Sequence, residues 1–237
     1  MQYRVLDWDT KFFGFKIAEI NQSQQGSREL EKILSTLKKQ KIRLVYWVSD
    51  LVCEDVILKT YGGKLVDEKI TFVIDFSDKN SGDFTVSKNV EPYVDSMSLA
   101  ALENLAIQSG EYSRFAVDPN IPRKQFIDMY KTWIWKSLRK ELADEVFVLQ
   151  DTDRIAGMVT LGEKNKRGDI GLIAVDSASR NKNFGQTLVR AAQNWFMVNN
   201  YQFGQVVTQG QNTAACNLYK KCGYTVEKTE YSYHFWL

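Results

Sequence analysis

The chain has 237 residues, which at about 150 residues per domain suggests one or two domains. Lys plus Arg (31) nearly balance Asp plus Glu (29), and the net charge of +2 argues against a dedicated nucleic-acid binder with its basic excess. A 44% hydrophobic content supports a real core, three Pro and 14 Gly exclude a long linker-like composition, and no apolar run approaches the roughly 18 residues that span a bilayer.

The opening MQYRVLDWDTKFFGF lacks the apolar centre of a secretory signal. Alternation over Tyr3 to Ile20, interrupted at Phe12-Phe13-Gly14, reads as strand. Ser27 to Gln40 predicts a helix, with Leu30, Ile33, Leu34 and Leu37 on one face. Ile42 to Ser49 is a buried strand, Asp50 caps a second helix ending at Gly62-Gly63, and Leu65 to Phe76 is a long strand or hairpin edge. Residues 77–83 are the most turn-like cluster in the chain and mark an expected boundary between a half-domain, 1–80, and a larger domain, 81–237.

Beyond that boundary, Phe84 to Val90 is an expected strand. Glu91 to Ser109 reads as a helix with Val94, Met97, Leu102 and Leu105 inward. Residues 110–124 form a loop with two of the three prolines. Gln125 to Leu142 is a helix whose stripe is Phe126, Tyr130, Trp133 and Leu138. Glu145 to Gln150 and Ile155 to Glu163 form a hairpin. Asp169 to Val175 is a strand, followed by a polar loop and a helix from about Gly185 to Asn199. Phe203 to Thr208 is a strand, Asn212 to Lys221 a short helix stopped at Gly223, and Tyr224 to Trp236 a terminal strand. The series strand, short helix, glycine stop and terminal strand occurs at 42–76 and again at 203–236, an echo that is architectural more than sequential.

A strand ending at Val175, a polar loop and a helix opening at Phe184-Gly185 put unpaired N–H groups at a helix N-terminus, where donors and dipole both favour an anion. Arg180 and Lys182 flank it. An ordinary strand-to-helix loop with solvated basic residues fits the same residues. Cys53, Cys216 and Cys222 are odd in number, lack metal-ligand spacing and have no evident pKa-lowering neighbour, so they read as small buried hydrophobes. A single His, His234, excludes a His-rich metal site and reads as structural. Together these features describe a reduced, cytoplasmic, soluble protein with no metal and no nucleic-acid or membrane partner. An edge strand carrying Tyr231, Tyr233, Phe235 and Trp236 makes a homodimer an option beside a monomer.

Arg180-Asn181-Lys182-Asn183-Phe184-Gly185 resembles motif A of the GNAT acetyltransferase superfamily, with Asn183 where that family has glycine. Asn is one of the few non-Gly residues that accepts a left-handed backbone, so the loop can still form. The run from Asn212 to Tyr224, with Ala215, Tyr219 and Gly223 in register, resembles motif B, and the element order over 84–237 is that of the GNAT fold. The resemblance implies a mixed α/β fold with an added N-terminal GNAT-like half-domain. It also implies acetyl-CoA as co-substrate, held by Leu172, Ile173, Ala174, Val175, Arg180, Asn181, Lys182, Asn183, Phe184, Gly185, Gln186, Asn212 and Tyr219. A backbone N–H near Ala174 or Val175 would polarise the thioester, and Tyr219 would protonate the departing thiolate. No base is evident: Glu163 acting through water, His234 and a water relay are all open.

Trp8-Asp9-Thr10-Lys11-Phe12-Phe13-Gly14 and Tyr112-Ser113-Arg114-Phe115, with the extra half-domain, are similar to the dTDP-fucosamine acetyltransferase family. That similarity implies a dTDP-linked 4-amino-4,6-dideoxy sugar as acceptor, a half-domain on the acceptor side, and Arg114 and Arg123 on the diphosphate. The surface member of the pair Trp133 and Trp135 could stack on a base. The alternatives are a peptide amine, polyamine or antibiotic acceptor, or a CoA-binding module without catalysis.

Overall fold

A computed structural model describes residues 2–21, 26–77 and 87–237. The chain forms two compact units, Met1–Ile70 with Thr229–Leu237, and Thr71–Lys228.

The first unit opens with strand β1 (Tyr3–Val5), helix α1 (Asp7–Phe13) and strand β2 (Ile17–Ile20). The alternation expected across this stretch is therefore broken by a helix. Its reasons are local: Asp7 and Asp9 sit in the first turn, and Gly14 closes it at φ 79°. Helix α2 (Ser27–Lys39) buries Leu30, Ile33, Leu34 and Leu37, the face its spacing predicts. Strand β3 (Leu44–Ser49) follows. Helix α3 (Asp55–Thr60) has Glu54 at its N-cap, four residues beyond the cap expected at Asp50. Gly62, at φ 60°, turns the chain into strand β4 (Gly63–Asp75); a Cβ there would lie 2.6 Å from the Trp236 carbonyl oxygen.

The terminal strand β10 (Thr225–Trp236) pairs antiparallel with β3 from Tyr231↔Ser49 to Trp236↔Leu44, and β2 pairs parallel with β3. The expected edge strand thus has a partner along its aromatic end. Tyr233 and Phe235 are buried against Leu34, Val45 and Trp47, and Tyr233 Oη accepts the Cys53 N–H at 2.8 Å. His234 is fully buried against the Tyr46 ring at 4.9 Å.

In the second unit, residues 78–83 of the turn-like cluster and the first three residues of the strand expected over 84–90 lie outside the described residues, and 88–89 form a turn rather than strand. Strand β5 (Val90–Pro92) comes next. Helix α4 (Leu99–Ser109) is shorter than expected because Ser98 caps it, its hydroxyl accepting the Ala101 N–H. Val94 consequently lies outside the helix and half exposed, while Leu102 and Leu105 are buried. The expected loop over 110–124 contains a short helix, α5 (Arg114–Val117), and α6 (Arg123–Leu138) begins two residues before the expected start. Strands β6 (Glu145–Asp151), β7 (Arg154–Lys164) and β8 (Arg167–Val175) form an antiparallel meander. Helix α7 (Phe184–Val198), strand β9 (Phe203–Gln209) and helix α8 (Thr213–Lys221) complete the order β9-β8-β7-β6-β5 with helices on both faces. Leu102, Leu105, Ile134, Val146, Val148 and Met158 form the core beneath α4 and α6, with Leu172 and Ala174 against it. Among the described residues no helix is long and apolar enough to cross a membrane.

Candidate active site

The site begins where β8 leaves its neighbour. β8 pairs with β9 only over Gly168–Ile170 against Gly204–Val206. From there to Val175 the described pairing is with β7 alone. The register of that pairing shifts between Val159 and Leu161, and such bulges sharpen local twist. The buried Thr160 sits at the bulge, and its hydroxyl accepts the Leu172 N–H at 2.8 Å.

This arrangement settles which amide faces the opening. Leu172 and Asp176 both donate toward β7, the latter to the Ala156 carbonyl at 2.8 Å. Backbone alternation gives Ala174 the same direction and turns the N–H groups of Ile173 and Val175 the other way. Of the two expected thioester donors, Ala174 is therefore committed to the β7 side and Val175 is the one that points outward.

The helix that follows has the geometry of an anion cradle. Asn183 takes the left-handed conformation, φ 61° and ψ 13°, and Asn181 stands at φ 64°. Asn183 supplies no side-chain cap, and its carbonyl accepts the Thr187 N–H. The first-turn N–H groups of Phe184, Gly185 and Gln186 thus have no intrahelical acceptor. A Cβ on Gly185 would approach Leu218 at 3.1 Å, so this glycine is what lets α7 pack close to α8. These donors and the α7 dipole fit a pyrophosphate. Arg180 is exposed beside them. Lys182 is already engaged: its Nζ lies 2.7 Å from Asp151 Oδ2 and near the Phe184 ring. Arg154 donates to the buried Ser179 hydroxyl at 2.9 Å, a second tie from the β6–β7 turn to this loop.

Helix α8 carries the remaining candidates. Asn212 is its N-cap, with Oδ1 accepting the Ala215 N–H at 3.1 Å. Tyr219 is 2% exposed, between the rings of Phe72 and Tyr224. Burial raises its pKa well above the ordinary phenol value, with Cys216 and Cys222 adding to the rise, so it stays protonated. Cys216 and Cys222 are buried thiols outside any disulfide, and burial pushes the Cys222 thiol up to about 11. Glu163 pairs with Gly168, seven residues from Val175. At about 3.3 Å per residue it lies roughly 20 Å along the strand from Val175, too far to serve as a base there.

Arg114 opens α5 and stacks on Phe115 at 4.6 Å. Arg123 sits at the start of α6, bound bidentately by Glu111 at 2.6 and 3.2 Å, and lies over Phe126. A diphosphate would have to displace that carboxylate. Trp133 packs edge-on against Phe115 and Tyr130, whereas Trp135 is 48% exposed and donates its indole N–H to Glu103. Among the described residues no cluster of His, Cys, Asp or Glu is placed to hold a metal. Sequence reasoning missed Gln108 and Thr160, polar residues inside helix and strand patterns that offered no motif.

A mixed sheet with a parted strand pair, followed by a helix whose first-turn N–H groups have no intrahelical acceptor, defines an α/β protein with a donor-lined opening at the end of β8. Residues 114–224 match the acetyltransferase (GNAT) family, and the chain carries an acetyltransferase domain of that family. It is 24% identical over 228 residues, 95% of this chain and 94% of the other, to a protein named dTDP-fucosamine acetyltransferase from Escherichia coli O6:H1. It shares its fold with a conserved protein of unknown function from Staphylococcus epidermidis (TM-score 0.68, 16% identity, 93% of this chain and 84% of that one). A GCN5-related N-acetyltransferase from Sphaerobacter thermophilus is similar too (TM-score 0.61, 13% identity, 98% and 75% coverage).

Proposed function

We propose that the protein is an acetyl-CoA-dependent N-acetyltransferase acting on the amino group of a dTDP-linked 4-amino-4,6-dideoxy sugar. The observation that carries the donor half is the outward edge of β8 at Val175 beside the uncapped start of α7. The acceptor half draws its support from the relative that spans nearly the whole chain. In this reading the pantetheine arm runs along Leu172–Val175, and the pyrophosphate rests on the α7 N-terminus with Arg180 and Asn181 beside it. The half-domain expected over 1–80, which folds as Met1–Ile70 with Thr229–Leu237, acts in acceptor selection, and the domain expected over 81–237, which folds as Thr71–Lys228, is catalytic.

The neutral amine attacks the thioester carbonyl carbon. The Val175 N–H donates to the oxygen as negative charge develops, the C–S bond breaks, and the nitrogen loses its extra proton to water. Tyr219 gives its proton to the departing sulfur, and its phenolate regains one from the water that took the amine proton. The burial that keeps this phenol protonated also makes it a weaker acid, so the transfer relies on an equally desolvated thiolate in the same low-dielectric site.

The test is thiol release from acetyl-CoA with a panel of dTDP-amino sugars, polyamines and peptide amines. Turnover confined to the nucleotide sugars supports the reading. Turnover with a polyamine or peptide amine alone reassigns the acceptor, and binding of acetyl-CoA without turnover leaves a CoA-binding module.

A further inference from the structure

Catalysis at Val175 requires the strand end to be fixed, because an oxyanion donor acts only if it is already aimed when charge develops. β7 fixes one side through the Asp176 N–H. The other side is held from a different element. Gln108, in the last turn of α4, reaches across with both ends of its amide. Its Nε2 donates to Asp176 Oδ2 at 3.3 Å, and its Oε1 accepts the Ser177 N–H at 3.1 Å. Asp176 completes the arrangement: Oδ1 accepts the Ala178 N–H at 3.0 Å, and its carbonyl accepts the Ser179 N–H at 2.8 Å. The residue immediately after Val175 is therefore held between β7 and one glutamine.

The origin of that glutamine matters. Two residues beyond it, Gly110 packs so close to Tyr130 that an added Cβ would lie 2.2 Å from the ring. Ser113 N–H then bonds to the Gly110 carbonyl, and Arg114 follows at the start of α5. The segment expected to meet the acceptor is thus connected through a rigid turn to the residue that holds the donor strand.

We propose that Gln108 is a positioning residue for acetyl transfer, aiming the Val175 amide and linking the α4–α5 segment to it. The proposal rests on the assignment of the Val175 N–H as the thioester donor. Losing the amide lets the strand end shift, and a misplacement of about 1 Å at a reacting group costs on the order of 10²-fold in rate. Acetyl-CoA binding changes little, since the α7 donors and Arg180 are untouched.

The test follows the carbonyl of acetyl-CoA labelled with ¹³C at the acetyl group by infrared spectroscopy, with affinity measured by calorimetry and kcat against KM where turnover is available. In the wild-type protein the bound carbonyl stretch is expected to fall relative to free acetyl-CoA. In Gln108→Met that lowering should be lost and kcat should drop about 10–100-fold, with acetyl-CoA affinity within threefold. Gln108→Glu sets two carboxylates against each other and should act likewise; it replaces the Met variant if that one does not fold. Adding Asp176→Asn to Gln108→Glu restores every hydrogen bond with donor and acceptor exchanged, and should bring the carbonyl shift back. If the wild type shifts the carbonyl and Gln108→Met shifts it equally, the positioning role is wrong while the donor assignment stands. A wild type that binds acetyl-CoA with no carbonyl shift removes the donor assignment and this proposal with it.

Discussion

Tyr219 and Asn183 carry the sharpest residue-level consequences. Tyr219→Phe keeps the ring that packs between Phe72 and Tyr224 and removes only the hydroxyl. Positioned acid catalysis is worth roughly 10²–10⁴ in rate, so kcat should fall by that order with acetyl-CoA affinity and thermal midpoint nearly unchanged. A Phe variant with wild-type kcat, chemistry being rate-limiting, would assign the phenol to the core. Asn183 is left-handed without a cap bond of its own. Asn183→Gly removes the Cβ cost of that conformation, and both thermal midpoint and acetyl-CoA affinity should stay level or rise. A marked loss of affinity would give the Asn side chain its own role at the phosphate. The cysteines offer a contrast. Cys53 and Cys222 are buried thiols, each pushed up to about 11 by burial, and should resist alkylation at pH 7.5 until denaturant is added.

At the scale of elements, one tie to the loop before α7 and one at the strand vertex make separate predictions. The Lys182–Asp151 pair joins the β6–β7 turn to the loop and holds a cation that a pyrophosphate could use. The pair is partly exposed, and such pairs contribute about 0–1 kcal/mol. Asp151→Asn should therefore tighten acetyl-CoA by no more than about fivefold, measured at low salt, where screening is least. Asp169 and Gln205 face each other in the last paired stretch of β8 and β9, with Gln205 Nε2 donating at 2.8 Å. Burial raises the Asp169 pKa above 3.8, and the Gln205 bond only partly opposes it. A carboxyl raised on folding binds its proton more tightly in the native state. Stability therefore declines as pH rises from about 3.8 through the raised value, then levels off. Asp169→Asn should remove that slope, seen in denaturant midpoints between pH 4 and 7, and keep the link to Gln205 if the new amide accepts through its oxygen.

At the scale of the molecule, the sequence determined the elements whose burial is one-sided and whose ends carry their own stop signals. α2 shows its apolar face by spacing alone, and β6 and β7 are set off by a turn with Thr152 left-handed. α8 is bounded by the Asn212 cap and by Gly223 at φ 88°. Local signals also placed the loop before α7, because a left-handed Asn is a property of the residue itself. Where short-range signals conflicted, the reading failed: the aromatic residues from Trp8 to Phe13 read as alternation, yet two aspartates and a glycine make them a helix. The candidate site was legible as far as its motifs extend along the chain. Its geometry was not. Glu163 and Val175 lie on adjacent strands and near each other in sequence, and only register separates them by about 20 Å. The choice of Val175 over Ala174 depends on which way a peptide group faces, which β7 decides. Gln108 lies 68 residues from Asp176 in sequence, so the bond between them exists only because α4 packs on β8. Hydrophobic periodicity encodes what each segment buries, but the direction of an amide and the meeting of distant polar groups are fixed only when the strands and helices have docked.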